Sequence, residues 1–192
     1  MQRAIGIDPS QRHTGIAILE NGSRPAFYEI KGKGDILSCA LQIRQELTDI
    51  LSTEANEGTL YCVEKQLSVG GHSSSLQFYI QMIVLETIGQ FVFEKYELDP
   101  VFVMPLPVQL KSFMQKAHDM RTKTKTEIVE SWKEKYQEFD WAQGRISSHK
   151  VDAFCLANMG LEIMDLNWEY KLPTKEAPLI PWEIICRRPS RT

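Results

Sequence analysis

Three short apolar runs, at residues 4–7, 15–19 and 26–30, are separated by stretches too brief to hold a helix. No other feature restricts the fold as much. An apolar run of this length bounded by turn residues reads as a strand. Pro9-Ser10-Gln11-Arg12-His13 reads as the first turn, and Asn21-Gly22 is a hairpin signal leading into the third run. Strands joined this tightly pair antiparallel. Lys31-Gly32-Lys33-Gly34 then breaks the chain. It is too short and poorly placed for a phosphate loop, and reads as a linker.

Downstream the pattern changes. Ile36, Leu37, Ala40, Leu41, Ile43, Leu47, Ile50 and Leu51 recur at helical spacing. Residues 60–63 read as a buried strand ending at Glu64, and a polar Ser/Gly stretch at 68–75 precedes a long apolar helix over 76–96. A strand at 101–104 is stopped by Pro105 and Pro107. A short helix near 108–114, a basic loop, a helix over 125–136 and a last helix over 148–164 follow. Thr124 and Glu127 have capping-box spacing for the helix at 125–136. The tail from 167 is rich in Pro and Trp and has no clear period. The order β-β-β-α-β-α-β-α-α-α predicts a mixed sheet with helices on its faces. One domain over 1–165 with an extension over 166–192 is the expected organisation.

With 192 residues, 43% hydrophobic and 24% charged, the chain is expected to be a soluble folded protein. Its unbroken apolar runs fall far short of the roughly 18 residues of a membrane helix, so no membrane association is expected. Cys39, Cys62, Cys155 and Cys186 are scattered, which argues against a zinc ribbon, a redox pair or a secreted disulfide framework. The N-terminus lacks the apolar stretch of a signal peptide. A reducing, cytoplasmic compartment is the expectation, with phage or organellar origin left open. The net charge of -3 does not advertise a nucleic-acid binder. Yet Lys111, Lys116, Arg121, Lys123 and Lys125 lie between Pro107 and Thr126 against Asp119 alone, five minus one or +4. Such a patch suits a polyanion bound locally, or equally a solvated loop and helix face.

Asp8 and Glu64 each follow an apolar run immediately, where a sheet's edge presents side chains to a ligand. On neighbouring strands they can share a divalent metal, although ordinary strand-terminal acids look the same. His149 and Asp152 are a third element. Three residues apart at the start of an apolar helix, they share one face. Hard cations take oxygen ligands and bridge to phosphate. Two of them, about 3.5–4 Å apart, stabilise the attacking and leaving oxygens of an in-line phosphoryl displacement. An Asp-Glu-(His)-Asp set can hold such a pair. Acyl transfer is disfavoured: Ser10 and His13 share a turn, but no Gly-x-Ser-x-Gly pattern appears.

Ile5-Gly6-Ile7-Asp8-Pro9-Ser10 with Thr14-Gly15 resembles the first strand of RuvC-type Holliday-junction resolvases. Val63-Glu64-Lys65-Gln66 is similar to their second acidic motif, and Lys150-Val151-Asp152-Ala153-Phe154-Cys155-Leu156-Ala157 to their last helix. The ordered trio spans about residues 3–165. The resemblance implies an RNase H-like α/β fold, a five-stranded mixed sheet flanked by helices. It also implies a metal-dependent homodimeric endonuclease cutting four-way DNA junctions by paired nicks, with two Mg2+ ions per site and Mn2+ as substitute. By the same resemblance Asp8, Glu64 and Asp152 are metal-binding carboxylates. His149 stands where the family often has a carboxylate, and acts either as a ligand or as a base or orienter beside the attacking water. Lys111 and Lys125 match lysines facing DNA. Leu67 falls where bacterial members carry a wedging aromatic, and leucine can unstack bases without stacking on them. The helix over 76–93 matches the dimer-forming one.

The alternatives are another RNase H-like nuclease acting on RNA, flaps or replication forks, an actin-like nucleotide-binding module, and a catalytically dead binding protein. The chain is too short for the two domains of the actin-like module, and the complete carboxylate trio disfavours the inactive protein.

Overall fold

The sheet is built as the turn spacing predicts. β1 (Arg3–Asp8), β2 (Thr14–Glu20) and β3 (Ala26–Ile30) form two successive antiparallel pairs. The computed structural model describes residues 2–65, 72–107, 109, 110, 113, 147–165, 184 and 185. After β3 come α1 (Ile36–Glu54), β4 (Thr59–Val63), α2 (His72–Tyr96) and β5 (Val101–Val103). The last two described elements are α3 (Ser148–Asp165) and a two-residue strand, β6 (Ile184–Ile185). β4 joins β1 in parallel and β5 joins β4 in parallel, giving the order β3-β2-β1-β4-β5-β6. This is the expected five-stranded mixed sheet with one addition: β6, from the tail that shows no period, pairs antiparallel with β5.

Strand alternation sorts the core into two layers. Ile5, Ile7, Ile16, Ile18, Tyr61 and Val63 face α1 and α2. Ala4, Ala17, Leu19, Leu60 and Cys62 face α3. Successive strand residues point to opposite faces, so the parity of each sequence position decides its layer. α3 buries Phe154, Leu156, Ala157 and Met159 against the sheet. Each large apolar side chain so placed contributes about 1.5–3 kcal/mol relative to exposure. Its close approach depends on Gly6, where a Cβ would collide with the Ala153 carbonyl oxygen.

α1 starts as predicted, with Asp35 accepting from the Ser38 amide at 2.8 Å, and continues one polar turn past Leu51. α2 begins at His72, inside the stretch expected to be loop, since serines at 73–75 suit a helix's first turn. Pro107, Gln109, Leu110 and Phe113 are helical, where the short helix is expected. The helix expected over 125–136 lies outside the described residues.

Counting unbroken apolar runs understates α2. Its segment Leu76–Tyr96, 21 residues long, contains a stretch of 18 residues with a mean hydropathy of 1.3 and by length and composition alone could cross a bilayer. Ile80, Ile83, Val84, Ile88, Phe91 and Val92 nevertheless lie in the core of the α1/α2 layer, the arrangement of a core helix. The buried cysteines Cys39, Cys62 and Cys155 are free thiols.

Candidate active site

One row across the sheet carries the polar residues. In the register, Asp8 on β1 faces Gly15 on β2, and Gly15 faces Glu29 on β3. On the other side Ile7 faces Val63, and the Glu64 amide donates to the Ile7 carbonyl at 3.1 Å, so Glu64 continues the row past β4. Parity gives these positions the face covered by α3. Three carboxylates and a glycine thus line one edge of the sheet.

The glycine admits the helix. A Cβ at Gly15 would collide with the carbonyl oxygen of His149, so the first turn of α3 rests directly on the row. Ser147 precedes that turn, with its carbonyl accepting from the Lys150 amide at 3.1 Å and its hydroxyl lying 3.4 Å from the same nitrogen. This placement is what brings His149, far away in sequence, to Asp8, and Asp152 follows three residues later on the same helix.

The closest contact runs between Asp8 and His149, where Asp8 Oδ2 lies 2.6 Å from Nδ1 of the imidazole. An ionised carboxylate only accepts, so Nδ1 carries the bridging proton, and in the neutral ring Nε2 is the nitrogen with the lone pair. Asp8 is 5% exposed, and a carboxylate so buried requires such a partner. Thr14 closes the turn after Asp8: its hydroxyl donates to the Ser10 carbonyl at 2.8 Å and accepts from the Ser10 amide at 3.2 Å. The buried Gln81 of α2 donates to the Glu64 carbonyl at 3.3 Å and steadies the other strand end.

Glu29 and His13 join the site without having been singled out by sequence motifs. Burial raises the Glu29 carboxyl's pKa, but hydrogen bonds from Ser147 and His13 and the charge of Lys31 outweigh it and hold the pKa below its usual range. The signal that could have found them is the double hairpin register, which sets Glu29 one strand beyond Gly15.

The donor set fits a hard cation in kind: three carboxylates and an imidazole at one sheet edge. As the side chains stand, Asp8 engages His149, and among the described residues no three His, Cys, Asp or Glu side chains are grouped as a metal-holding cluster. Leu67, Lys111, Lys116, Arg121, Lys123 and Lys125 lie outside the described residues.

No protein-family model matches the chain, and no curated protein sequence does. Solved structures match in fold. The RuvC of T. thermophilus in complex with a Holliday junction substrate superposes with a TM-score of 0.63 at 16% identity, covering 88% of this chain and 98% of that one. Thermus thermophilus RuvC in a second structure gives 0.60 at 15%, covering 86% and 97%. The yeast mitochondrial Holliday junction resolvase gives 0.55 at 12%, covering 81% and 76%. The chain therefore has the RNase H-like fold of these resolvases, as its three motifs imply.

Proposed function

We propose that this chain is a divalent-metal-dependent endonuclease that resolves four-way DNA junctions by paired nicks. The observation that carries the reading is the row of Asp8 and Glu64 on adjacent parallel strands, with the His149–Asp152 turn of α3 resting on it. The fold shared with RuvC supports it, since one of those structures holds a Holliday junction. Asp8, Glu64 and Asp152 would hold the metal, with His149 beside them. Two Mg2+ ions, or Mn2+ in their place, would supply charge stabilisation at the attacking and leaving oxygens of the scissile phosphate.

The chain's own residues do the rest. Asp8 would fix the His149 tautomer so that, in the neutral ring, Nε2 is the basic nitrogen. From there Nε2 either ligates metal or accepts the proton of the attacking water, a role worth about 10²–10⁴-fold in rate where a positioned base performs it. The basic stretch from Lys111 to Lys125 would hold the junction arms by their phosphates. Residues 1–165 would form the nuclease region, and a second copy of the chain would supply the second nick.

The test is cleavage of a synthetic four-way junction, a duplex of the same sequence, a single strand, a flap and an RNA–DNA hybrid, each with and without Mg2+. Magnesium-dependent nicking of the junction in preference to the others is expected. No cleavage, or preference for the flap or hybrid, would overturn the junction assignment.

A further inference from the structure

Two imidazoles lie face to face above the carboxylate row. His13, in the turn after β1, and His149, in the first turn of α3, have ring centroids 5.7 Å apart and planes 6° from parallel. Rings at that separation and angle form an offset stack. Each ring also has its own carboxylate, His149 with Asp8 at 2.6 Å and His13 with Glu29 at 3.2 Å. Those two carboxylates occupy one row on either side of Gly15, which sets the two rings side by side. Glu29 accepts a second hydrogen bond from the hydroxyl of Ser147, at the start of the helix that carries His149. One buried carboxylate therefore ties the His13 turn to the beginning of α3; its side chain is only 10% exposed.

The hydrogen bond to Asp8 fixes where Nδ1 of His149 sits, and the plane of the ring about that point is a separate degree of freedom. A second ring lying parallel to the first restrains that plane. We propose that His13, held by Glu29, is a positioning residue that sets the plane of the His149 imidazole and so the direction of its Nε2. This rests on the reading of His149 as a residue of the nuclease site.

The experiment pairs ring dynamics with cleavage, using the full chain labelled with 13C at histidine and free of metal for the NMR arm. In the parent and in His13→Phe, which keeps a flat ring at the site, the His149 ring carbons should relax as a rigid group. In His13→Ala and Glu29→Gln they should relax as a mobile one, with the backbone amide spectrum otherwise preserved. In the cleavage arm, His13→Ala should slow junction nicking at saturating enzyme by about 10-fold or more. Its junction affinity should stay at the parent's value, and His13→Phe should recover most of the rate. A His149 ring as rigid in His13→Ala as in the parent would overturn the proposal, as would a His13→Phe protein no faster than His13→Ala. If the parent cleaves no DNA, the nuclease reading falls, while the relaxation data still decide whether His13 holds His149.

Discussion

Asp8 is a buried acid at a strand end, and its hydrogen bond to His149 is what makes that position tolerable. Leaving such a charge without a partner would cost several kcal/mol, about 3–5 by the usual experience of broken buried pairs. Asn in its place has nearly the same shape and can still accept from Nδ1, but carries no charge toward a metal. Asp8→Asn should therefore keep the fold and junction binding close to the parent while Mg2+-dependent nicking falls by orders of magnitude. Gel-shift and single-turnover cleavage assays on one junction check this, and robust cleavage by the variant in Mg2+ would remove Asp8 from the metal site. Asp8 and Glu64 were legible in the sequence because each ends an apolar run. His149 and Asp152 were legible because three residues on a helix share a face. Glu29 and His13 were not. Their place depends on where two turns close, and a register change of one residue would send Glu29 to the opposite face.

At the scale of elements, the site exists because a helix can touch a sheet, and Gly15 is where it does. Adding a methyl there sets a Cβ against the His149 carbonyl, so the first turn of α3 must lift or β2 must bend. Gly15→Ala should lower stability by about 1–3 kcal/mol, the usual cost of overpacking. It should also slow nicking, because His149 and Asp152 move with the turn. Urea unfolding read beside cleavage checks both effects, and a parent-like variant in both would mean that α3 does not depend on this contact.

On the opposite layer, Tyr28 of β3 donates to Glu54 at the end of α1 at 2.6 Å. That hydrogen bond, with burial and the Glu54 charge adding to it, pushes the tyrosine's pKa up to about 12. A folded pKa raised above the unfolded value of about 10 means a stability contribution fully present below pH 10 and lost as pH rises through about 12. Tyr28→Phe should thus be less stable than the parent by about 1 kcal/mol near neutral pH. In urea titrations the gap should close between about pH 10 and 12; a gap constant across that window would sever Tyr28 from Glu54. Such pairings joined the parts of the fold that periodicity predicted. What periodicity missed were the extra turn of α2, whose serines read as loop, and β6, too short to show any alternation.

At the scale of the whole molecule, an apolar face of α1 and α2 lies open among the described residues. Leu37 and Leu41 of α1 are each 60% exposed, and beside them Phe78, Tyr79 and Met82 of α2 are nearly half exposed. Leu37, Ala40, Leu41, Tyr79, Met82 and Ile83 line a groove of about 380 Å³ between the two helices. Soluble monomers seldom leave a contiguous patch of this kind open. A two-fold dimer would cover it with the same surface of a second copy, because an isologous interface uses one patch twice. The ion pair of Arg44 with Glu86 at 2.8 Å sits at the rim and is too exposed to add much. The expected assembly is thus a dimer through α1 and α2, with the two carboxylate rows on separate copies. Leu41→Lys combined with Met82→Lys places charges where side chains are already partly in water, so each chain should fold as the parent does. Light scattering at micromolar concentration should give the dimer mass for the parent and the monomer mass for the double variant. On a cruciform plasmid, the parent should make linear product by two nicks within one binding event, and the variant nicked circles. A parent that scatters as a monomer with and without DNA would leave the second nick to a separate encounter, and with it the case for paired cleavage would fail.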